Sequence, residues 1–135
     1  MGIERVDAEI VSSLRRAHEP EAWASWPLRP EIELITRTPE GERRAPEALV
    51  QALLEAYRAL GLQITDSEVY NLHPATQAAR WAQRFSEQTL CLEIRRDRLV
   101  ESYEPFTQMR VNGAAVDRLA EPLVEAIDAW FRARR

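Results

Sequence analysis

The spacing of apolar positions along this chain changes period several times, and each change marks a new element. Ile3, Val6, Ile10 and Leu14 recur at intervals of three or four, predicting an amphipathic helix over residues 2–17 with one apolar stripe. Residues 19–30 hold three prolines with Trp23 and Trp26, which predicts an irregular segment whose indoles pack down on the core. Ile32, Leu34 and Ile35 carry a first strand over residues 31–37, closed by the turn Thr38-Pro39-Glu40-Gly41. The clearest helix follows. Pro46 suits its first turn, Leu49, Val50, Leu53, Leu54, Tyr57 and Leu60 form its apolar face, and Gly61 stands where a left-handed C-terminal residue is wanted.

Residues 62–65 read as a second short strand and 66–74 as a loop carrying Ser67, Glu68, Tyr70, Asn71 and His73. A second helix is expected from Pro74, with Ala75, Ala78, Ala79 and Ala82 giving it a small face for close packing. It leads into Thr89-Leu90-Cys91-Leu92-Glu93-Ile94-Arg95-Arg96-Asp97. The unbroken run Leu90 to Leu92 reads as a strand buried on both faces, the expected central strand. Alternation along it puts Cys91, Glu93 and Arg95 on one face and Leu90, Leu92 and Ile94 on the other. Residues 100–111 look irregular; Asn112 then caps a last helix, with a kink expected at Pro122. This order predicts one α/β domain over residues 1–135, with a small, largely parallel three-stranded sheet flanked by helices. So small a sheet leaves edges that invite a second polypeptide or a second copy.

Composition narrows the function. A net charge of -4 argues against nucleic acid as a partner. All 18 basic residues are arginine, which excludes covalent chemistry at a lysine. Cys91 is the only cysteine, so neither an internal disulfide nor a cysteine-rich zinc site can form, and a cytoplasmic setting is expected. No apolar run approaches a membrane span, and residues 1–5 lead into a charged amphipathic segment rather than a signal peptide. The four glycines stand singly, which rules out the phosphate-cradling loop and the dinucleotide fingerprint. His18 and His73 are the only histidines, so a zinc site built from this chain would need both plus a carboxylate. The plainer role for His18 is a helix-end histidine beside the C-terminal dipole, and for Cys91 a small core residue. Glu93 and Arg95 emerge together at the strand's C-terminal end, where a carboxylate can act as general base and an arginine fork can grip an anion. The competing explanation is a strand passing into solvent.

Several stretches, in order, resemble the C-terminal half of the N-formylglutamate amidohydrolase family. Arg29-Pro30-Glu31-Ile32-Glu33-Leu34-Ile35-Thr36-Arg37 is similar to its Arg-Pro-led strand, and Asp66-Ser67-Glu68-Val69-Tyr70-Asn71 to its Asp-Asn-Glu-Pro-Tyr-Ser loop. Leu90 to Asp97 resembles the strand that carries a Glu and an Arg, and Glu104-Pro105-Phe106 with the last helix resembles the family's ending. The likeness runs from Arg29 to Arg132, leaving residues 1–28 as an N-terminal helix and Trp/Pro-rich segment.

The resemblance implies part of a carboxypeptidase-like (phosphorylase/hydrolase-like) fold and zinc-dependent removal of formyl from an N-formyl amino acid. Zinc would lower the pKa of a bound water, and a carboxylate would take its proton. Glu93 would be the acid/base residue; Arg95, Tyr70, Asn71 and Arg29 would meet a small anionic substrate. His18 stands where the family has a later His-Ser, and would be a metal ligand. The family's early Pro-His-Ser-Gly-type metal segment has no counterpart here. The expectation is therefore a chain that is incomplete and inactive alone, needing a second polypeptide for its metal site. The alternative is a non-catalytic binding or protein-association module of the same descent.

Overall fold

The computed structural model describes residues 12, 15–16, 19–25, 27–104 and 107–135. Ser12, Arg15 and Arg16 are helical; the rest of the predicted N-terminal helix, His18, Trp26, Pro105, Phe106 and the Trp23 side chain lie outside the described part. The elements are α1 (Pro20–Ala24), β1 (Ile32–Ile35), α2 (Glu47–Ala59), β2 (Ile64–Asp66), α3 (Gln77–Arg84), β3 (Cys91–Ile94), a 3-10 turn (Arg96–Arg98) and α4 (Gly113–Arg132). The short α1 falls in the segment expected to be irregular. Proline is tolerated where Pro20 stands, in a helix's first turn, because the missing N–H has no intrahelical partner there.

The domain is α/β with an open, mixed three-stranded sheet in the order β2-β1-β3. β1 runs parallel to β2, as expected, but antiparallel to β3, so the sheet is not largely parallel among the described residues. The central strand is β1, not the run around Cys91, and its four residues are all buried. β3 lies at an edge. Its apolar residues mislead because they are covered above and below: Leu92 and Ile94 pack on the main core, while Cys91 packs beneath α3. Cover on both faces looks the same in sequence whether or not a further strand lies alongside.

One face of the sheet, with Ile32, Leu34 and Ile64, meets Leu49, Val50, Leu53 and Tyr57 of α2, and Leu119 and Ala126 of α4. Tyr57 is fully buried, and its hydroxyl donates to the Leu119 carbonyl at 2.7 Å, joining α2 to α4 one turn before the internal Pro122. Proline removes one ladder hydrogen bond in this stretch, and the phenol supplies a donor to the turn that precedes it. The other face carries Ile35 and Cys91 under Ala78, Ala79 and Ala82, whose small side chains let α3 lie close. α3 begins at Gln77 rather than at Pro74, because the Thr76 hydroxyl caps it by accepting from Ala79 N–H at 3.2 Å. Asn112 caps α4 in the same way, at 3.1 Å. Gly61 and Gly41 hold φ of +75° and +89°, the left-handed turns their positions required.

Candidate functional site

The antiparallel register decides where the site lies. Glu93 of β3 stands directly opposite Glu33 of β1, which in turn pairs with Thr65 of β2. These three share the face that α3 covers only at its Ile35–Cys91 end. Glu93 and Arg95 thus emerge beside the beginning of β1, not at the C-terminal ends of a parallel sheet, where the sequence placed them.

Glu33 is almost completely buried, yet its carboxylate is well partnered. Oε1 accepts from the backbone N–H of Val69 at 2.9 Å and of Tyr70 at 3.4 Å, and Oε2 accepts from the Thr65 hydroxyl. The carboxylate is a clasp that pulls the loop after β2 across the sheet. Ser67, at φ +54°, bends that loop, and its Oγ accepts from the N–H groups of Thr36 and Arg37 at 2.9 and 3.0 Å. A left-handed serine is strained, and these bonds offset the cost. The result is a fixed position for Tyr70. The Arg29 guanidinium lies over the Tyr70 ring, 5.5 Å from its centroid.

Arg29, Pro30, Glu33, Tyr70, Glu93, Ile94 and Arg95 together enclose a cavity of about 140 Å³. Four residues singled out from the sequence, Glu93, Arg95, Tyr70 and Arg29, therefore meet in one place. Asn71 does not line it; this residue is exposed, and its carbonyl accepts from His73 N–H at 2.8 Å. His73 is also exposed, with Nδ1 accepting from Ala75 N–H at 3.2 Å. Glu33 is the site residue that sequence reasoning missed. The signal was a carboxylate alternating with Ile32 and Leu34 in an otherwise apolar strand.

Arg95 is not a free clamp. Its Nε and Nη2 donate to the two oxygens of Asp97 at 2.7 and 3.0 Å, and Nη1 donates to the Arg29 carbonyl at 2.6 Å. The bond to Asp97 raises the Arg95 pKa against the opposing effect of burial. Burial on its own would raise the Asp97 carboxyl, but the hydrogen bonds and charge of Arg95, with Arg98 adding, hold it below its ordinary value. The pair locks the end of β3 to the segment carrying Arg29. Burial also pushes the Cys91 thiol up, and the nearby Glu93 charge pushes it further, so this sulfur is poorly suited to thiolate chemistry.

No three His, Cys, Asp or Glu side chains converge on a metal position among the described residues. Of the two carboxylates that meet, Glu33 is already held by three protein donors. The described donors do not fit a tetrahedral zinc ion. No family model, curated protein or solved structure matches this chain. Among the described residues no helix is long and apolar enough to cross a membrane.

Proposed function

We propose that this chain is an N-formylglutamate amidohydrolase-like domain that supplies the substrate-binding side of the site, and that it binds a small N-formyl amino acid between Glu93, Tyr70, Arg29 and Arg95. One observation carries the reading: these side chains, from loops and strands up to 66 positions apart, line a single cavity beside a buried carboxylate. Arg29 offers a guanidinium to a substrate carboxylate, and the Tyr70 hydroxyl a hydrogen bond to an amide oxygen. Glu93 is the exposed one of the two carboxylates that line this cavity among the described residues, and would take a proton from water. Asp97 and the Arg29 carbonyl hold Arg95, which keeps two N–H groups for a ligand among the described residues. Hydrolysis in this reading depends on zinc held by ligands beyond the described residues, from a second polypeptide or a second copy of the chain, in the cytoplasm. The β1–α2–β2 crossover is what supports a carboxypeptidase-like ancestry, with β3 as an antiparallel edge.

The test is a titration of isotope-labelled protein with N-formylglutamate, followed by nuclear magnetic resonance. Shifts should centre on Tyr70, Glu93 and Arg95, and Arg29→Ala should weaken binding at least about fivefold, the loss of one charge-assisted contact. Turnover, assayed with zinc and any co-purifying chain, should vanish in Glu93→Gln while binding persists. Absence of shifts at millimolar ligand would sink the proposal. Binding without turnover in every combination would favour the alternative, a non-catalytic binding or association module.

A further inference from the structure

Arg29 and Arg95 have a second side. Beyond them lies a larger hollow of about 600 Å³, whose walls include Pro27, Leu28, Arg96 and Tyr103. The small cavity of about 140 Å³ lies below the usual size of ligand pockets, whereas the hollow lies within that range. Both spaces are lined by Arg29 and Arg95.

We infer that the same site extends into this hollow and takes an amphipathic anion: an N-acylated amino acid with an apolar side chain, its carboxylate between the arginines and its apolar group against Leu28 and Tyr103. This rests on the binding reading above and names the class of ligand. Three arginines and one carboxylate, Asp97, line the hollow, and that carboxylate is already taken up by Arg95, so the remaining polarity favours an anion. Two of the five Arg95 N–H groups remain without a partner among the described residues after its bonds to Asp97 and Arg29. Leu28 is 79% exposed and Tyr103 44%, an apolar wall that an aliphatic or aromatic group would cover. An acidic side chain such as that of glutamate would leave this wall wet. The physical chemistry of the hollow thus selects for apolar side chains, and the arginines select for the free carboxylate.

The experiment compares N-formylphenylalanine, its methyl ester and N-formylglutamate by calorimetry on the full chain. N-Formylphenylalanine should bind at least about tenfold more tightly than N-formylglutamate, the effect of burying part of a phenyl ring, and more tightly than its uncharged ester. Leu28→Ser, at an exposed position where folding is not at stake, should shrink the ratio between the two acids to about one. Equal affinities that Leu28→Ser leaves unchanged would overturn the inference while leaving the small binding site in place. Binding of the ester as tightly as the acid would overturn the role of the arginines. Failure of all three probes to bind would overturn the binding reading itself and this inference with it.

Discussion

Replacing Glu33 by alanine is the most searching perturbation of this fold, because one buried carboxylate there holds the loop that brings Tyr70 to the site. The substitution strands the Val69 N–H and the Thr65 hydroxyl, both close partners, and the more distant Tyr70 N–H. A buried donor left unpaired costs about 1–3 kcal/mol, and the one lost methylene adds about 0.8 kcal/mol. Water from the adjoining cavity can recover part of the hydrogen bonding. Relief of the like charge of Glu93 directly across the ladder returns about 0.2–1 kcal/mol. The net loss is about 3 kcal/mol, a large share of the 5–15 kcal/mol typical of a domain, and about 10 °C in Tm for a chain of this length. Glu33→Gln keeps the shape and one acceptor, and the Thr65 hydroxyl can turn to accept from the new amide. It should cost about 1 kcal/mol, the difference between charge-assisted and neutral bonds. Urea unfolding followed by circular dichroism measures both. If alanine costs less than about 1 kcal/mol, or no more than glutamine, the carboxylate is not what holds the loop, and Tyr70 is positioned by something else.

Two further predictions concern the ends of β3. Asp97→Asn should lower stability by about 1 kcal/mol at pH 7, a modest value because the pair is partly solvated. Since the folded carboxyl lies below its ordinary value, this stabilisation is complete above about pH 3.9 and is lost as pH falls through the lower folded value. The gap between wild type and Asp97→Asn should therefore close below that pH in urea midpoints; a gap that stays constant to pH 2.5 would contradict the pairing with Arg95. Cys91, raised first by burial and then by Glu93, should react slowly with iodoacetamide at pH 8, at least about tenfold more slowly than in the urea-unfolded chain. Glu93→Gln should speed the folded-state reaction about twofold or more, because it removes the charge that opposes the thiolate. Equal rates in the two proteins would show that the Glu93 charge does not act on the sulfur.

Local chemistry made much of this architecture readable. The period of Leu49, Val50, Leu53, Leu54 and Tyr57 and the glycine at position 61 placed α2 closely, because a helix carries its buried face and its stop signal within its own residues. The Asn112 cap was equally local. α3 was expected three residues early because Pro74 suits a helix's first turn, whereas the Thr76 hydroxyl, bonded to Ala79 N–H, starts the helix at Gln77. The grouping of Cys91, Glu93 and Arg95 on one face followed from strand alternation alone.

Lateral order in the sheet was not readable in this way. Hydrophobic alternation reports what lies above and below a strand, not what lies beside it, so an edge strand roofed by α3 and floored by the main core read as a central one. Its direction was equally silent, and direction is what set Glu93 opposite Glu33 instead of at a parallel sheet's C-terminal crevice. The residue types at the site were therefore determined by the sequence itself: a carboxylate and an arginine two positions apart on a strand, a tyrosine on a loop, an arginine before a proline. Which carboxylate is spent holding the loop, which arginine is spent on Asp97, and which groups remain for a ligand were decided only by tertiary structure. Those assignments depend on contacts between residues far apart in the chain, whose partners no local pattern specifies.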